Sequence, residues 1–343
     1  MKLCIVTFTA KGSRLGSKLC EALKGPGHVV KGYGTVKYTE KSGLLPFTKL
    51  STLLEEIFFI SDGIIFIGAC GIAVRGVAPF LHHKGRDPGV VVVDECGTYA
   101  ISLLSGHIGG GNLLCEEVAN IVGAIPVITT ATDVNNVFSV DNFAKAAGLW
   151  IKDINQIKTI SSAILDGEEI GFYSEYPVIG ELPNLLSYHT LKKGICIAAN
   201  EMLSPFSITM NLIPRDLVLG IGCKKNTRLE AIEELISEVL EHLNLKNYRI
   251  GKIASINIKA FEPGILEYAR RIRAEFITYT AEELNQVQGK FAESAFVIQT
   301  VGVGNVCERS GALASENGIK ILGKTTKNGV AVSLYQRKFE VKF

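Results

Sequence analysis

Apolar positions along the chain follow two rhythms. Residues 3–8, 63–69, 90–94 and 125–129 are short, nearly unbroken aliphatic runs, the pattern of strands buried on both faces of a parallel sheet. Between them, apolar residues recur at helical spacing. Residues 13–24 put Leu15, Leu19 and Leu23 on one face, with Gly25 and Pro26 as a stop, and residues 47–59 and 113–122 repeat the pattern. This alternation predicts an α/β unit over residues 1–135.

The signal weakens over residues 136–215. A short helix is expected at 143–149, and Pro177, Pro183, Pro205 and Pro214 punctuate loops and short strands, so the stretch reads as a smaller middle segment. A second α/β unit is expected over residues 216–343. It opens with a strand at 217–221. Thr227 and Glu230 then have the spacing of a capping box, in which each side chain satisfies a free backbone N–H of the other residue. The helix behind them carries Leu229, Ile232, Leu235, Ile236, Val239, Leu240 and Leu243 on one stripe. Thr280 and Glu283 have the spacing of a second capping box, and strands are expected at 295–301, 319–322 and 329–335. The fold class is α/β: two α/β units with mostly parallel sheets, joined by the middle segment.

Composition narrows the setting. With 343 residues, 47% of them hydrophobic and 20% charged, the chain can bury ample core. No apolar run reaches the roughly 18–20 residues of a membrane-spanning helix. The opening residues Met1 to Val6 read as a strand, not a secretion signal, so a cytoplasmic location is expected. A formal net charge of +2 supplies no footprint for nucleic acid, although a local basic pocket for an anionic small molecule remains open. The eight cysteines form neither a CxxC pair nor a Cys/His metal spacing; reduced core thiols and no metal site are expected.

The densest polar cluster is Ser105-Gly106-His107-Ile108-Gly109-Gly110-Gly111-Asn112, just ahead of a helix. Glycines there allow backbone N–H groups to face an anion at the helix N-terminus; a close-packed turn is the alternative. The sequence is neither a Walker A loop, since no Lys-Ser/Thr follows, nor a dinucleotide fingerprint. His107 titrates near neutrality and is the candidate general base or acid. Three strand ends add polar groups: Arg75 after the 63–69 run, as a carboxylate clamp or a surface ion pair; Asp94 and Glu95 after the 90–94 run, for proton transfer or as caps; and Thr129, Thr130, Thr132 and Asp133 after the 125–129 run. Their convergence on one crevice with the glycine-rich loop is expected. In the second unit, Cys223 stands beside two lysines that could lower its thiol pKa, while Lys259 and Glu262 have the spacing of a surface ion pair.

Taken together, these motifs are recognisable. The run from Asp62 through Gly68, Gly71 and Arg75, then Ala78-Pro79, Lys84 and Asp87-Pro88, leads to Val93-Asp94-Glu95, Leu103-Leu104-Ser105-Gly106-His107 and Thr129-Thr130-Ala131-Thr132-Asp133. With Gly220-Ile221-Gly222-Cys223, Ala254-Ser255-Ile256, Lys259 and Val306-Cys307-Glu308, this series resembles the cobalt-precorrin-5A hydrolase family of anaerobic cobalamin (vitamin B12) biosynthesis. One departure stands at Gly111: glycine where the family pattern has alanine preserves smallness and is expected to be harmless.

The resemblance implies hydrolysis of the ring A acetate δ-lactone of a cobalt corrinoid and loss of the extruded two-carbon unit as acetaldehyde. Cobalt would be carried by the substrate, and no protein cofactor is expected. Catalysis is assigned to His107, with Asp94 and Glu95 as further proton-transfer candidates. Substrate binding is assigned to Arg75, Ser105, Gly106, Gly109, Gly110, Asn112, Thr129, Thr130, Thr132, Asp133, Cys223, Lys259 and Glu308, with the N–H groups of Gly109 and Gly110 facing an oxyanion or a peripheral carboxylate. Neighbouring corrinoid methyltransferases and a second copy of the chain are candidate partners; nucleic acid and membrane are not. A non-catalytic corrinoid carrier and a nucleotide-dependent α/β enzyme are the alternatives.

Overall fold

A computed structural model describes all residues except 26, 27, 41, 84–86, 108 and 317, and the side chain of Phe296. Pro26 as a helix stop, Lys84 and Ile108 therefore lie outside the described residues. The chain forms two compact units: Met1–Phe143 with Ile157–Glu168, and Ala144–Gln156 with Glu169–Phe343.

In the first unit, the strands are β1 (Lys2–Thr7), β2 (Val29–Thr35), β3 (Leu45–Phe47), β4 (Gly63–Ile67), β5 (Gly89–Val93), β6 (Tyr99–Leu104) and β7 (Ile125–Val127). They form one sheet in the order β3-β2-β1-β4-β5-β6-β7. The main helices are α1 (Ala10–Leu23), α2 (Leu50–Ile57), α3 (Cys70–Val77) and α4 (Gly111–Val122). Alternation along β1, β4 and β5 sorts the side chains to two faces. Leu3, Ile5, Ile65, Ile67, Val91 and Val93 pack with Leu19, Leu23, Leu114 and Val118. Cys4, Val6, Ile64, Phe66, Val90 and Val92 pack with Leu53, Leu54, Ala73 and Val77 on the other side. Both faces are covered, which is why these strands read as unbroken aliphatic runs.

One strand direction decides where the site lies. β6 runs antiparallel to β5, with Val93 opposite Ala100 and Val90 opposite Leu104, and β7 runs parallel to β6. Only residues 94–98 join β5 to β6, far fewer than the dozen or so that a parallel crossover needs. The C-terminal ends of β6 and β7 therefore open on the sheet edge opposite to the ends of β1, β4 and β5.

Beyond β7 come α5 (Ala131–Val134), α6 (Val140–Ala146), β8 (Leu149–Ile151) and α7 (Asn155–Leu165). The helix expected at 143–149 thus lies earlier, and Leu149 already begins a strand. In the second unit, β9 (Ile170–Ser174), β10 (Val178–Ile179), β11 (Leu186–Ser187), β12 (Lys193–Ile197) and β13 (Ile208–Pro214) follow. A five-stranded sheet has the order β11-β9-β12-β13-β8, with β8 as its antiparallel edge. The remaining elements are β14 (Leu217–Cys223), α8 (Leu229–His242), β15 (Ile250–Ile256), α9 (Pro263–Ile272), β16 (Glu275–Tyr279), α10 (Ala281–Gln286), α11 (Ala295–Val301), α12 (Val306–Ala314), β17 (Ile319–Lys327), β18 (Val330–Gln336) and β19 (Val341–Lys342). Their sheet has the order β16-β15-β14-β18-β17, and β19 pairs with β10. The α8 stripe enters the core as expected: Ile232, Leu235, Ile236, Val239 and Leu240 are buried against β14, β15 and β18.

Two local expectations fail for identifiable reasons. Residues 295–301 form the helix α11, not a strand; Gly302, at φ +75°, ends it by donating its N–H to the Ile298 carbonyl at 2.9 Å. The Thr227–Glu230 capping box does not form. The Thr227 hydroxyl donates instead to the Lys224 carbonyl at 2.7 Å, and its N–H goes to Glu262 at 3.1 Å. The Thr280–Glu283 box is present with both reciprocal bonds.

Candidate functional site

The glycine-rich segment closes on itself. The Gly110 N–H donates to the His107 carbonyl at 2.9 Å, Gly111 to Ser105 at 3.0 Å and Asn112 to Gly106 at 2.9 Å. The N–H of Gly110 is thereby committed inside the loop and does not face an anion. The glycines admit close approach: a Cβ on Gly109 would lie 2.3 Å from the Ser105 Cβ, and one on Gly106 would lie 2.5 Å from Asn112 Oδ1. Ser105 takes a left-handed backbone conformation, φ +53°, at the start of the loop. At Gly111 an added Cβ would meet the Leu104 carbonyl oxygen at 2.6 Å, so the glycine present here fits a close approach that alanine would crowd. The close-packed turn is the arrangement found.

What the loop presents is His107. Its Nδ1 lies 3.0 Å from Asp141 Oδ2 and its Nε2 lies 2.7 Å from Asp133 Oδ2. The Ser139 hydroxyl donates to Asp141 Oδ1 at 2.7 Å. Asn112 donates from Nδ2 to Asp133 at 3.0 Å and to Thr130 Oγ1 at 3.2 Å, and its own Oδ1 accepts from Ser102 at 2.6 Å. Thr132 Oγ1 stands 3.4 Å from His107 Nε2. Seven side chains from β6, α4 and the segment after β7 thus surround one imidazole.

The electrostatics follow from this geometry. The bond to Asp141 raises His107 above the ordinary histidine range, against burial, with Asp133 adding to the rise. Burial pushes the Asp141 carboxyl up, but His107 and Ser139 outweigh it and the net direction is down. Two carboxylates flank both ring nitrogens, an arrangement that favours a proton on each. The two carboxylates are not equivalent: the Asp141 side chain is 9% exposed and that of Asp133 is 32% exposed. Asp133 is the member that can meet water or a ligand.

The expected single crevice is divided by the direction of β6. His107, Ser105, Gly106, Gly109, Gly110, Asn112, Thr129, Thr130, Thr132 and Asp133 belong to one sheet edge; Asp94 and Glu95 belong to the other, and Arg75 lies on α3, the helix that follows β4. Arg75 is an exposed residue in the last turn of α3, and Thr129 is exposed after β7. Asp94 accepts the N–H groups of Cys96, Thr98 and Tyr99 at 2.8, 2.7 and 2.6 Å. Burial raises its carboxyl, yet these three donors bring it below its ordinary value, and it serves as the staple of the β5–β6 turn. Glu95 is part of the same turn.

In the second unit, Cys223 is half-buried and its thiol is pushed up by burial, with Lys259 only partly opposing this, in keeping with a structural thiol. Lys259 Nζ and Glu262 Oε2 are paired at 2.8 Å, but largely buried instead of at the surface. Glu308 is buried, accepting from Asn305 at 2.5 Å, the Ala292 N–H at 3.2 Å and Lys320 at 2.8 Å. Sequence reading missed Asp141 and Ser139. The available signal was the Ser139-Val140-Asp141 triplet at a helix start, inside the stretch of weakest periodicity.

Three family descriptions match consecutive stretches: the cobalamin synthesis G N-terminal region over residues 52–133, the cobalamin biosynthesis central region over 138–214 and the cobalamin synthesis G C-terminus over 217–335. The cobalt-precorrin-5A hydrolase of Salmonella typhimurium is 34% identical over 315 residues, covering 88% of this chain and 89% of that protein. The chain belongs to the cobalt-precorrin-5A hydrolase family. The Priestia megaterium member is 32% identical over 82% of this chain and 80% of its own length. The crystal structure of a cobalamin biosynthesis protein G homologue from Sulfolobus solfataricus aligns over 98% of this chain and 97% of that one, at 26% identity and a TM-score of 0.45. Among the described residues, no helix is long and apolar enough to cross a membrane.

Proposed function

We propose that the protein is a cobalt-precorrin-5A hydrolase in which Asp133 and His107 divide the proton transfers. The observation that supports this division is the pair of short contacts on His107, with Asp133 as the open carboxylate. In lactone opening, Asp133 takes a proton from water as its oxygen bonds to the lactone carbonyl carbon. The ring C–O bond then breaks, and the His107 imidazolium gives its proton to the departing alkoxide. The product carries a free carboxylate and a hydroxyethyl group. His107, now neutral, takes the hydroxyl proton as the carbon–carbon bond breaks. Acetaldehyde leaves, the bonding pair passes into the conjugated macrocycle, and the proton that Asp133 took from water is delivered there to give cobalt-precorrin-5B, the new carboxyl group having released its own proton to solvent. Because the macrocycle accepts the pair, the sequence needs no electron-sink cofactor from the protein, and cobalt is substrate. Asp141 and Ser139 position the imidazole throughout.

A cytoplasmic enzyme fits this reading, since the eight cysteines are free thiols and five of them are buried. The lability of corrinoid intermediates favours direct hand-over with neighbouring corrinoid methyltransferases, and a homo-oligomer is compatible with the same chemistry. The deciding test is acetaldehyde release from cobalt-precorrin-5A by purified, chelator-treated protein without nucleotide. Stoichiometric, enzyme-dependent acetaldehyde is expected. A folded sample that binds the corrinoid and releases none would replace the hydrolase by a carrier.

A further inference from the structure

The second unit contains a groove of about 820 Å³ between the turns that follow β14 and β15, α11, α12 and the β17–β18 hairpin. Small-molecule sites occupy roughly 300–1,000 Å³, so the groove is large among them. Ile256, Val306 and Val330 are buried at its base. At its side stand two large apolar side chains left to water, Ile258 at 62% and Phe261 at 89% exposure. Apolar side chains left open beside a concavity are a mark of a ligand-binding groove.

The charge of the lining is one-sided. Lys224, Lys225, Lys259 and Lys324 face a single carboxylate, Glu262, among the described lining residues. Glu262 is itself buried and consumed: it binds Lys259 at 2.8 Å and the Thr227 N–H at 3.1 Å, tying the two turns together. Lys224, Lys225 and Lys324 have no ion pair among the described residues. By contrast, Lys252, Lys320 and Lys327 of the same unit are each paired to a glutamate. Unpaired cations around an apolar floor complement a ligand that is apolar across its face and anionic at its rim.

We propose that this groove binds the corrinoid, with the macrocycle face against Ile258 and Phe261 and the peripheral carboxylates toward Lys224, Lys225 and Lys324. The identity of the ligand rests on the hydrolase reading above; the location does not use the His107 cluster. Full-length protein is titrated, by visible absorbance, with dicyanocobyrinic acid, a stable cobalt corrinoid with free carboxylates, and with its fully methylated ester. The acid binds, and the ester binds at least about tenfold more weakly. Lys225→Glu, Lys324→Glu and Phe261→Ser each weaken the acid by roughly tenfold, while Lys327→Glu, outside the groove, changes it less than about twofold. All four positions are at least partly exposed, and unchanged thermal melts confirm folding. No binding of the acid, equal binding of the ester, or groove variants that match wild type would overturn the proposal. Binding through these residues without acetaldehyde release would sink the hydrolase and leave the groove standing. Acetaldehyde release with KM unchanged in all three groove variants would do the reverse.

Discussion

Asp94 and Asp133 invite comparison, because the sequence presents them as the same thing: an acid just past an aliphatic strand, in a motif the family shares. Their surroundings differ in kind. Asp94 is saturated by three backbone N–H groups of the turn it closes. Asp133 shares one oxygen with an imidazole and an amide and stays about a third exposed. A carboxylate whose lone pairs are taken by its own backbone is structural; one held by titratable or exchangeable partners at a surface is available for chemistry.

Substitutions can sharpen or break that contrast. The largest effects are expected at Asp133→Asn and His107→Ala, each lowering acetaldehyde release by roughly 10²–10⁴-fold without loss of folding. Near-normal turnover in either would remove that residue from the proton transfers. Asp141→Asn should cost about 10–100-fold, the range for a partner that orients a functional histidine. It should also move the pH profile, because the main contact that raises His107 is weakened. Gly111→Ala should destabilise by about 1–3 kcal/mol through the Leu104 carbonyl, seen as a lower urea midpoint. Asp94→Ala should cost about 1 kcal/mol, like the loss of a helix cap, with kcat within about twofold of wild type. A collapse of kcat at Asp94 with the melt unchanged would erase the distinction between the two acids.

The smallest effect is a pH dependence of stability. The folded-state pKa of His107 is raised, so its contribution is complete below the ordinary histidine value and fades as pH rises through the folded value. That of Asp141 is lowered, so its contribution is present above the ordinary carboxylate value and fades as pH falls through the folded one. The difference in stability between wild type and His107→Gln should therefore be greatest in the mildly acidic range and shrink toward alkaline pH. Urea titrations from roughly pH 5 to 9 would show it. A difference that grows with pH would mean a neutral resting imidazole.

Much of the architecture was legible because burial on both faces leaves a direct trace: β1, β4 and β5 are unbroken apolar runs, and the α8 stripe has helical spacing. The direction of β6 was also within reach, since residues 94–98 are too few for a crossover. Reading each strand alone, instead of the connection, placed Asp94 and His107 in one crevice. The α11 segment misled because its six apolar or β-branched residues, with Gln299 among them, suit either a strand or a short helix, and only Gly302 marks the end of the latter. Thr227 misled because a tertiary acceptor and donor outcompeted its local cap. Asp141 was invisible for a different reason: its role depends on a contact 34 residues away, and no local pattern encodes it.

The interleaving of the two units has a consequence for how the chain is made. Residues 144–156 belong to the second unit and 157–168 return to the first. A ribosome therefore emits the first piece of the second unit before the last piece of the first. β8 must wait for β13 to emerge before its antiparallel edge can form. A cut between the units at any single peptide bond leaves one of them without a segment. Pulse-labelled synthesis should show protease resistance arriving late and in two steps: the first only after residue 168 has cleared the exit tunnel, the second only after β19 (Val341–Lys342) has done so.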